Sequence, residues 1–132
     1  VSSDVFSGDF IALTLQTPLH THYVLEINPD GVIADGNPDT TWDSLADVKS
    51  ERGDDHWRLV VTLPVVGAAQ AAAEPLRCVA GPKPLPESPW FFNVGRKRTG
   101  VLPEGGDELQ LFSISEKGAW HAPEYFGKLE IR

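Results

Sequence analysis

Apolar residues occur in short runs along the whole chain, and turn-forming residues separate one run from the next. Six runs have the length and the β-branched and aromatic content of strands: residues 10–15, 22–27, 57–63, 90–94, 109–112 and 128–131. After the second run, the segment Asn28–Gly31 combines a proline, which fixes φ, with a glycine, which allows positive φ. Residues 22–35 are therefore predicted to form a hairpin. Short strands separated by turns favour an all-β, antiparallel β-sandwich over a parallel sheet.

Two stretches interrupt this pattern. Residues 35–55 are polar, with room for one short strand at residues 44–49. Residues 67–89 begin with an alanine-rich segment, residues 68–73, that predicts one or two helical turns, and then become rich in proline. Because proline cannot donate a backbone hydrogen bond, the second part is predicted to be an extended surface segment. No linker divides the chain, so residues 1–132 are predicted to form one domain.

The charge of the chain excludes one class of function and points to one region. The 11 basic and 19 acidic side chains give a net charge of −8, which argues against binding to nucleic acid. No apolar run has the length of a membrane helix. The excess negative charge lies in residues 1–55, which is typical either of a solvated acidic loop set or of a cation or partner site. The chain begins with valine and contains no methionine, so we expect a processed chain or a fragment.

A candidate metal site lies in this acidic region. Asp35, Asn37 and Asp39 place oxygen-bearing side chains at alternate positions, which is the opening spacing of a calcium loop. The match is partial, because Thr40 occupies the position of the required glycine and Ala46 that of the closing glutamate. Asp and Asn also form turns and caps without any metal, so both interpretations stay open.

The sequence offers little support for catalysis. It contains no nucleophile elbow, no phosphate-binding loop and no dinucleotide fingerprint. Its one cysteine, Cys78, has no neighbouring histidine and is predicted to be a buried thiol. The chain is therefore not predicted to be an enzyme.

Aromatic residues and one arginine are better candidates for a binding site. Trp57 and Trp90 begin apolar strands, which predicts core positions, whereas Trp120 lies between strands and is either a ligand platform or a core residue. If the strand beginning at Trp90 continues, Arg96 shares a face with its apolar residues. A guanidinium there needs partners, and its fixed geometry suits a carboxylate or sugar hydroxyls.

Six segments in this order and spacing resemble the family 9 carbohydrate-binding modules: residues 9–15, 23–31, 57–64, 90–96, 108–113 and 120–129. The resemblance implies a jelly-roll-like antiparallel sandwich that binds the end of an oligosaccharide or polysaccharide chain between two aromatic rings, with structural calcium. It also implies a secreted or periplasmic accessory module of a glycoside hydrolase. The family has strands before the one that matches residues 9–15, and this chain has only eight residues there. A neighbouring domain or chain is therefore expected to complete the sheet.

The resemblance also assigns site residues. Phe6 and Trp120 match the two aromatic clamp positions, so the clamp carries over to this chain. Three polar positions of the family differ, because Ala12, Glu26 and Lys117 stand where the family has a glutamate, an arginine and an asparagine. The predicted sugar-binding residues are Phe6, Trp120, Arg96, Glu26, Lys117 and His121. Since the changed positions weaken sugar recognition, the alternative function is an interaction module that has lost sugar binding and packs against a partner domain or chain.

Overall fold

A computed structural model describes residues 8–35, 42–111 and 127–129 of the chain. The elements in these ranges are β1 (Phe10–Thr17), β2 (His20–Ile27), β3 (Ile33–Asp35), β4 (Asp47–Arg52), β5 (Trp57–Thr62), β6 (Val65–Val66), α1 (Ala68–Ala73), β7 (Val79–Ala80), β8 (Trp90–Arg98), β9 (Glu108–Leu111) and β10 (Gly127–Leu129). The all-β fold class predicted from the apolar runs is confirmed, as is the short helix. Within the described ranges, no helix is both long and apolar enough to cross a membrane.

The main sheet has six strands and is built around β1. β1 pairs antiparallel with β2 on one side and with β8 on the other, and β3 extends the sheet beyond β2. The outer edge of β8 is shared, because β10 pairs with its first residues and β9 with its last. The described strands also include two two-stranded sheets, β4 with β5 and β6 with β7. The jelly-roll sandwich stays a prediction.

The segment between β2 and β3 forms the predicted turn. The side chain of Asn28 accepts hydrogen bonds from the backbone N–H groups of Asp30 and Val32, and Gly31 has a φ of 81°. This turn also contacts β4, because the hydroxyl of Ser50 donates a hydrogen bond to the carbonyl of Pro29. The exposed side chain of Arg52 pairs with Asp30 at 2.7 Å. The hydrogen bond from Ser50 joins the β4–β5 hairpin to the turn of the main sheet. The ion pair between Arg52 and Asp30 is exposed and contributes little stability.

The core lies where β7 meets β1 and β2, and Leu15, Tyr23, Val79 and Trp90 form its buried cluster. Ala80 connects β7 to the main sheet, because its N–H donates to the hydroxyl of Tyr23 and its carbonyl accepts from the hydroxyl of Thr17. The core position predicted for Trp90 is confirmed, since only 5% of the residue is exposed.

The sequence pattern did not predict β6 and β7. These two strands contain two residues each and pair in parallel, and a two-residue strand has no periodicity to detect. The proline-rich segment after β7 was predicted to be an extended surface segment. It is mostly irregular, with exposed Pro82 and Pro86, whereas Pro84 is buried. Cys78 is buried, also as predicted, and has a φ of 59°.

A methyl group at Gly81 should destabilise the fold. A Cβ at this position would lie 3.0 Å from the Cβ of Thr17 and 3.1 Å from Cζ2 of Trp90. Both neighbours are buried and held by hydrogen bonds to backbone carbonyls, so neither moves easily. We expect Gly81→Ala to lower the free energy of unfolding in urea by about 1–3 kcal/mol.

Gly8→Ala is the control, because a Cβ at Gly8 has no atom within 4 Å. That variant should unfold at the urea concentration of the wild type. Equal stability of the Gly81 and Gly8 variants would contradict the packing argument.

Candidate functional site

An open cleft of about 420 Å³ lies where the start of β1 and the end of β8 meet the β4–β5 hairpin. We call it the Trp57–Arg96 cleft, and its lining residues are Asp9, Ile11, Pro29, Arg52, Gly53, Asp55, His56, Trp57 and Arg96. Its volume is within the range of small-molecule binding sites. The cleft joins an indole ring, a guanidinium group and an imidazole ring in one concave surface.

The register of the main sheet places Arg96 in this cleft. Arg96 pairs with Ile11 of β1, and Ile11 pairs in turn with Ile27 of β2. Residues that pair across antiparallel strands point to the same face, so Arg96 lies on the same face as Ile11 and Ile27. Trp57, the first residue of β5, contacts Arg96 on this face. Val94 pairs with Leu13 on this same face, which confirms the prediction that Arg96 shares a face with the apolar residues of its strand.

The turn between β4 and β5 forms the opposite wall. The N–H of Gly53 donates to the carbonyl of His56 at 2.7 Å, which closes the turn before β5 begins at Trp57. A Cβ at Gly53 would lie 2.5 Å from Cε1 of His56. Only glycine at this position therefore leaves the imidazole ring of His56 in its place on the cleft wall.

Trp57 and Arg96 contact each other across the cleft. The guanidinium carbon of Arg96 lies 5.9 Å from the centre of the indole ring, which is a cation–π distance. The Nε atom of Arg96 is buried, and nothing in the described part of the chain accepts its hydrogen. The pair leaves a buried donor without an acceptor, and such a group costs free energy.

The indole of Trp57 differs from the other two tryptophans in the described ranges. Trp42 donates its indole N–H to the carbonyl of Cys78 at 2.9 Å, and Trp90 donates to the carbonyl of Pro82 at 2.8 Å. Among the described residues, Trp57 has no such acceptor. It is half-buried on the cleft wall and outside the buried core cluster, which differs from the core position predicted for it.

The other charged side chains of the cleft have polar partners. Asp9 accepts a hydrogen bond from the backbone N–H of Thr99 at 2.7 Å, and Asp55 contacts Nδ1 of His56 at 2.7 Å. Arg52 pairs with Asp30 outside the cleft. Since these side chains already have partners, the polar groups of the cleft that await one belong to Arg96 and Trp57.

Glu26, which was predicted to share the sugar site with Arg96, lies on the other face of the main sheet. It pairs with Ala12, and Arg96 pairs with Ile11, the residue before it on β1. Because neighbouring residues of a strand point to opposite faces, the structure does not bring Glu26 and Arg96 together. The Oε2 atom of Glu26 is buried and has no hydrogen-bond partner within the described ranges.

The remaining predicted sugar-binding residues lie outside the described residues: Phe6, Lys117, Trp120 and His121. The same is true of Asn37 and Asp39 of the predicted calcium site, and their roles stay predictions. Asp35 is described, and its Oδ2 accepts hydrogen bonds from the N–H and the hydroxyl of Ser44, each at 2.8 Å. In the described ranges, no group of three histidine, cysteine or acidic side chains could hold a metal ion.

Sequence reasoning missed several residues of the cleft, namely Asp9, Arg52, Asp55, His56 and the place of Trp57 on the cleft wall. The available signal was the short polar segment Gly53–His56 between two predicted strands, since loops on a rigid scaffold are favoured for binding. No family model, curated protein or solved structure matches this chain.

The environment of Glu26 predicts a pH dependence of stability. Burial raises the pKa of Glu26 above its ordinary value of 4.5, and the charge of Lys97 partly opposes this rise. The folded state thus holds the proton more tightly than the unfolded state. The stability that protonated Glu26 contributes is full below pH 4.5 and is lost as the pH rises through the raised pKa.

Glu26→Gln removes the charge and keeps the shape of the side chain. We expect this variant to be more stable than the wild type at pH 7, because it removes a partly buried charge. Its stability should fall less than that of the wild type as the pH rises above 4.5. Urea unfolding over a pH series measures both effects. Glu51→Gln, at an exposed position of β4, is the control and should keep the wild-type profile. Parallel pH profiles for wild type and Glu26→Gln would contradict the assignment.

Proposed function

We propose that this chain is a noncatalytic carbohydrate-binding module and that the Trp57–Arg96 cleft holds the end of a sugar chain. The observation that carries the proposal is the contact of an indole and a guanidinium on the cleft wall, with hydrogen-bond donors that no described residue satisfies. A sugar ring offers an apolar C–H face for an aromatic side chain and oxygen atoms for donors. This combination matches what the cleft leaves unpaired.

The carboxylates of the cleft support binding rather than hydrolysis. Glycoside hydrolysis uses two carboxyl groups that act directly on the sugar. Asp9 bonds the backbone at Thr99, and Asp55 bonds the neighbouring His56, so both act within the loops that carry them. These roles suit an accessory module of a secreted glycoside hydrolase, which is the context that the resemblance implies.

The resemblance to the family 9 carbohydrate-binding modules adds two elements to the proposal. It assigns Phe6 and Trp120 to the aromatic clamp, and it implies structural calcium, for which the spacing of Asp35, Asn37 and Asp39 offers a candidate site. The hydrogen bonds from Ser44 occupy Oδ2 of Asp35, so any calcium bond of that carboxylate would use Oδ1. The cleft and the clamp are separable by mutation, because they contain different aromatic residues.

Titration with neutral and acidic oligosaccharides, followed by calorimetry and tryptophan fluorescence, tests the proposal. We expect saturable binding by the wild type, and a loss of at least about tenfold in affinity for Trp57→Ala, because the ring forms one wall of the cleft. Val60→Ala is the control on the same strand, since Val60 is 50% exposed and does not line the cleft. Trp120→Ala measures the contribution of the predicted clamp.

Two results would contradict this function. One is the absence of a response to every glycan in the panel. The other is equal affinity of the wild type and Trp57→Ala, which would move the site away from the cleft. Melting temperatures of all variants show that each remains folded.

One observation favours the alternative function of an interaction module that a partner completes. β4 and β5 pair only with each other among the described strands, so both outer edges of this small sheet present backbone groups to their surroundings. Unpaired edges can accept a strand from another chain. This function predicts that the isolated chain self-associates as its concentration rises, which sedimentation velocity measures. A monomer at every concentration would contradict it.

A further inference from the structure

We infer that the sugar held by the Trp57–Arg96 cleft carries a carboxylate, as a uronic acid residue does. This inference rests on the proposed function and specifies its ligand class. It follows from the charges of the cleft, from the geometry of the guanidinium group and from the indole beside it.

The guanidinium of Arg96 is the positive charge of the cleft that lacks a carboxylate within the described residues. The two carboxylates on the cleft wall are bonded elsewhere, Asp9 to the N–H of Thr99 and Asp55 to His56. Arg52 has its own partner in Asp30. A half-buried positive charge is costly unless an opposite charge or good hydrogen bonds compensate it. An anionic ligand supplies both.

The geometry of the guanidinium favours a planar anion with two oxygens. Arg96 lines the cleft, and no carboxylate of the described residues pairs with it. A guanidinium presents its donors in pairs along its edges, and a carboxylate accepts from both nitrogens of one edge at once. A sugar hydroxyl provides a single acceptor and no charge, so it satisfies this edge less well.

The surroundings of Arg96 select for a singly charged group on a sugar ring. Asp9 and Asp55 line the same cleft, and their negative charges oppose a doubly charged ligand such as a phosphate. The indole of Trp57 lies at 5.9 Å from the guanidinium and offers an apolar surface next to the charge. A uronic acid residue has both features, an apolar C–H face and a carboxylate attached to the ring.

The test compares three ligands of equal length: an oligogalacturonate, its methyl ester and the corresponding neutral galactose oligomer. We expect the wild type to bind the acid at least about tenfold more tightly than the ester or the neutral oligomer. Raising the NaCl concentration should weaken binding of the acid and leave the other two unchanged.

Variants of Arg96 assign the preference to this residue. Arg96→Gln should bind all three ligands with similar affinity, because the charge is absent. Arg96→Lys should keep part of the preference, since it retains the charge and loses the two-donor edge. Arg58→Gln is the matched control, because Arg58 is an exposed arginine of β5 that does not line the cleft. It should keep the wild-type preference. Thermal melting of each variant shows whether it is folded. If Arg96→Gln does not fold, the affinities of Arg96→Lys for the three ligands serve as the test.

The outcomes separate this inference from the proposed function. If the wild type binds the ester and the neutral oligomer as tightly as the acid, the acidic ligand class is overturned and carbohydrate binding stands. If no ligand of any class binds, the proposed function itself fails. If folded Arg96→Gln keeps the wild-type preference for the acid, the carboxylate is recognised elsewhere and the inference is overturned. If Arg96→Gln does not fold, an undiminished wild-type preference in Arg96→Lys has the same meaning.

Discussion

The pairing of β1 on both of its edges is the constraint on which the rest of this structure depends. β1 pairs along most of its length with β2 and with β8, so its alternation of side chains is imposed on both neighbours. Residues of either face are buried, as Thr14 and Leu15 show with 2% and 4% exposure. A shift of one residue in either pairing would exchange the two faces, and the buried residues on both sides oppose such a shift.

The candidate site depends on this register and on the β4–β5 hairpin, which lies outside the main sheet. Pairing with Ile11 places Arg96 on one face of the main sheet, and Trp57, which follows the turn closed by Gly53, contacts Arg96 there. The contact between these two side chains therefore joins the six-stranded sheet to the β4–β5 hairpin. The net charge of −8 opposes the approach of an anion at long range, so the selection of an acidic sugar that we infer depends on local geometry.

The sequence predicted the elements with a clear pattern. The apolar runs correspond to β1, β2, β5 and β8, and the Asn28–Gly31 turn has the residues that its hydrogen bonds and positive φ require. Prediction failed where the pattern was too short, as for β6 and β7. The strand predicted at residues 44–49 is observed at Asp47–Arg52. The residues before it are polar, so the apolar pattern does not show where the strand begins.

Local alternation alone determined that Arg96 lies on the apolar face of its strand, since a two-residue period needs no knowledge of the rest of the molecule. Alternation within one strand does not show that Glu26 and Arg96 lie on opposite faces of the main sheet, or that Trp57 lines a cleft. Those placements depend on which residues pair between strands that are far apart in the sequence. The sequence by itself thus determined the longer strands and the face of β8 on which Arg96 lies. Only the tertiary structure decided which side chains meet, because register and hairpin packing are set by contacts between distant segments.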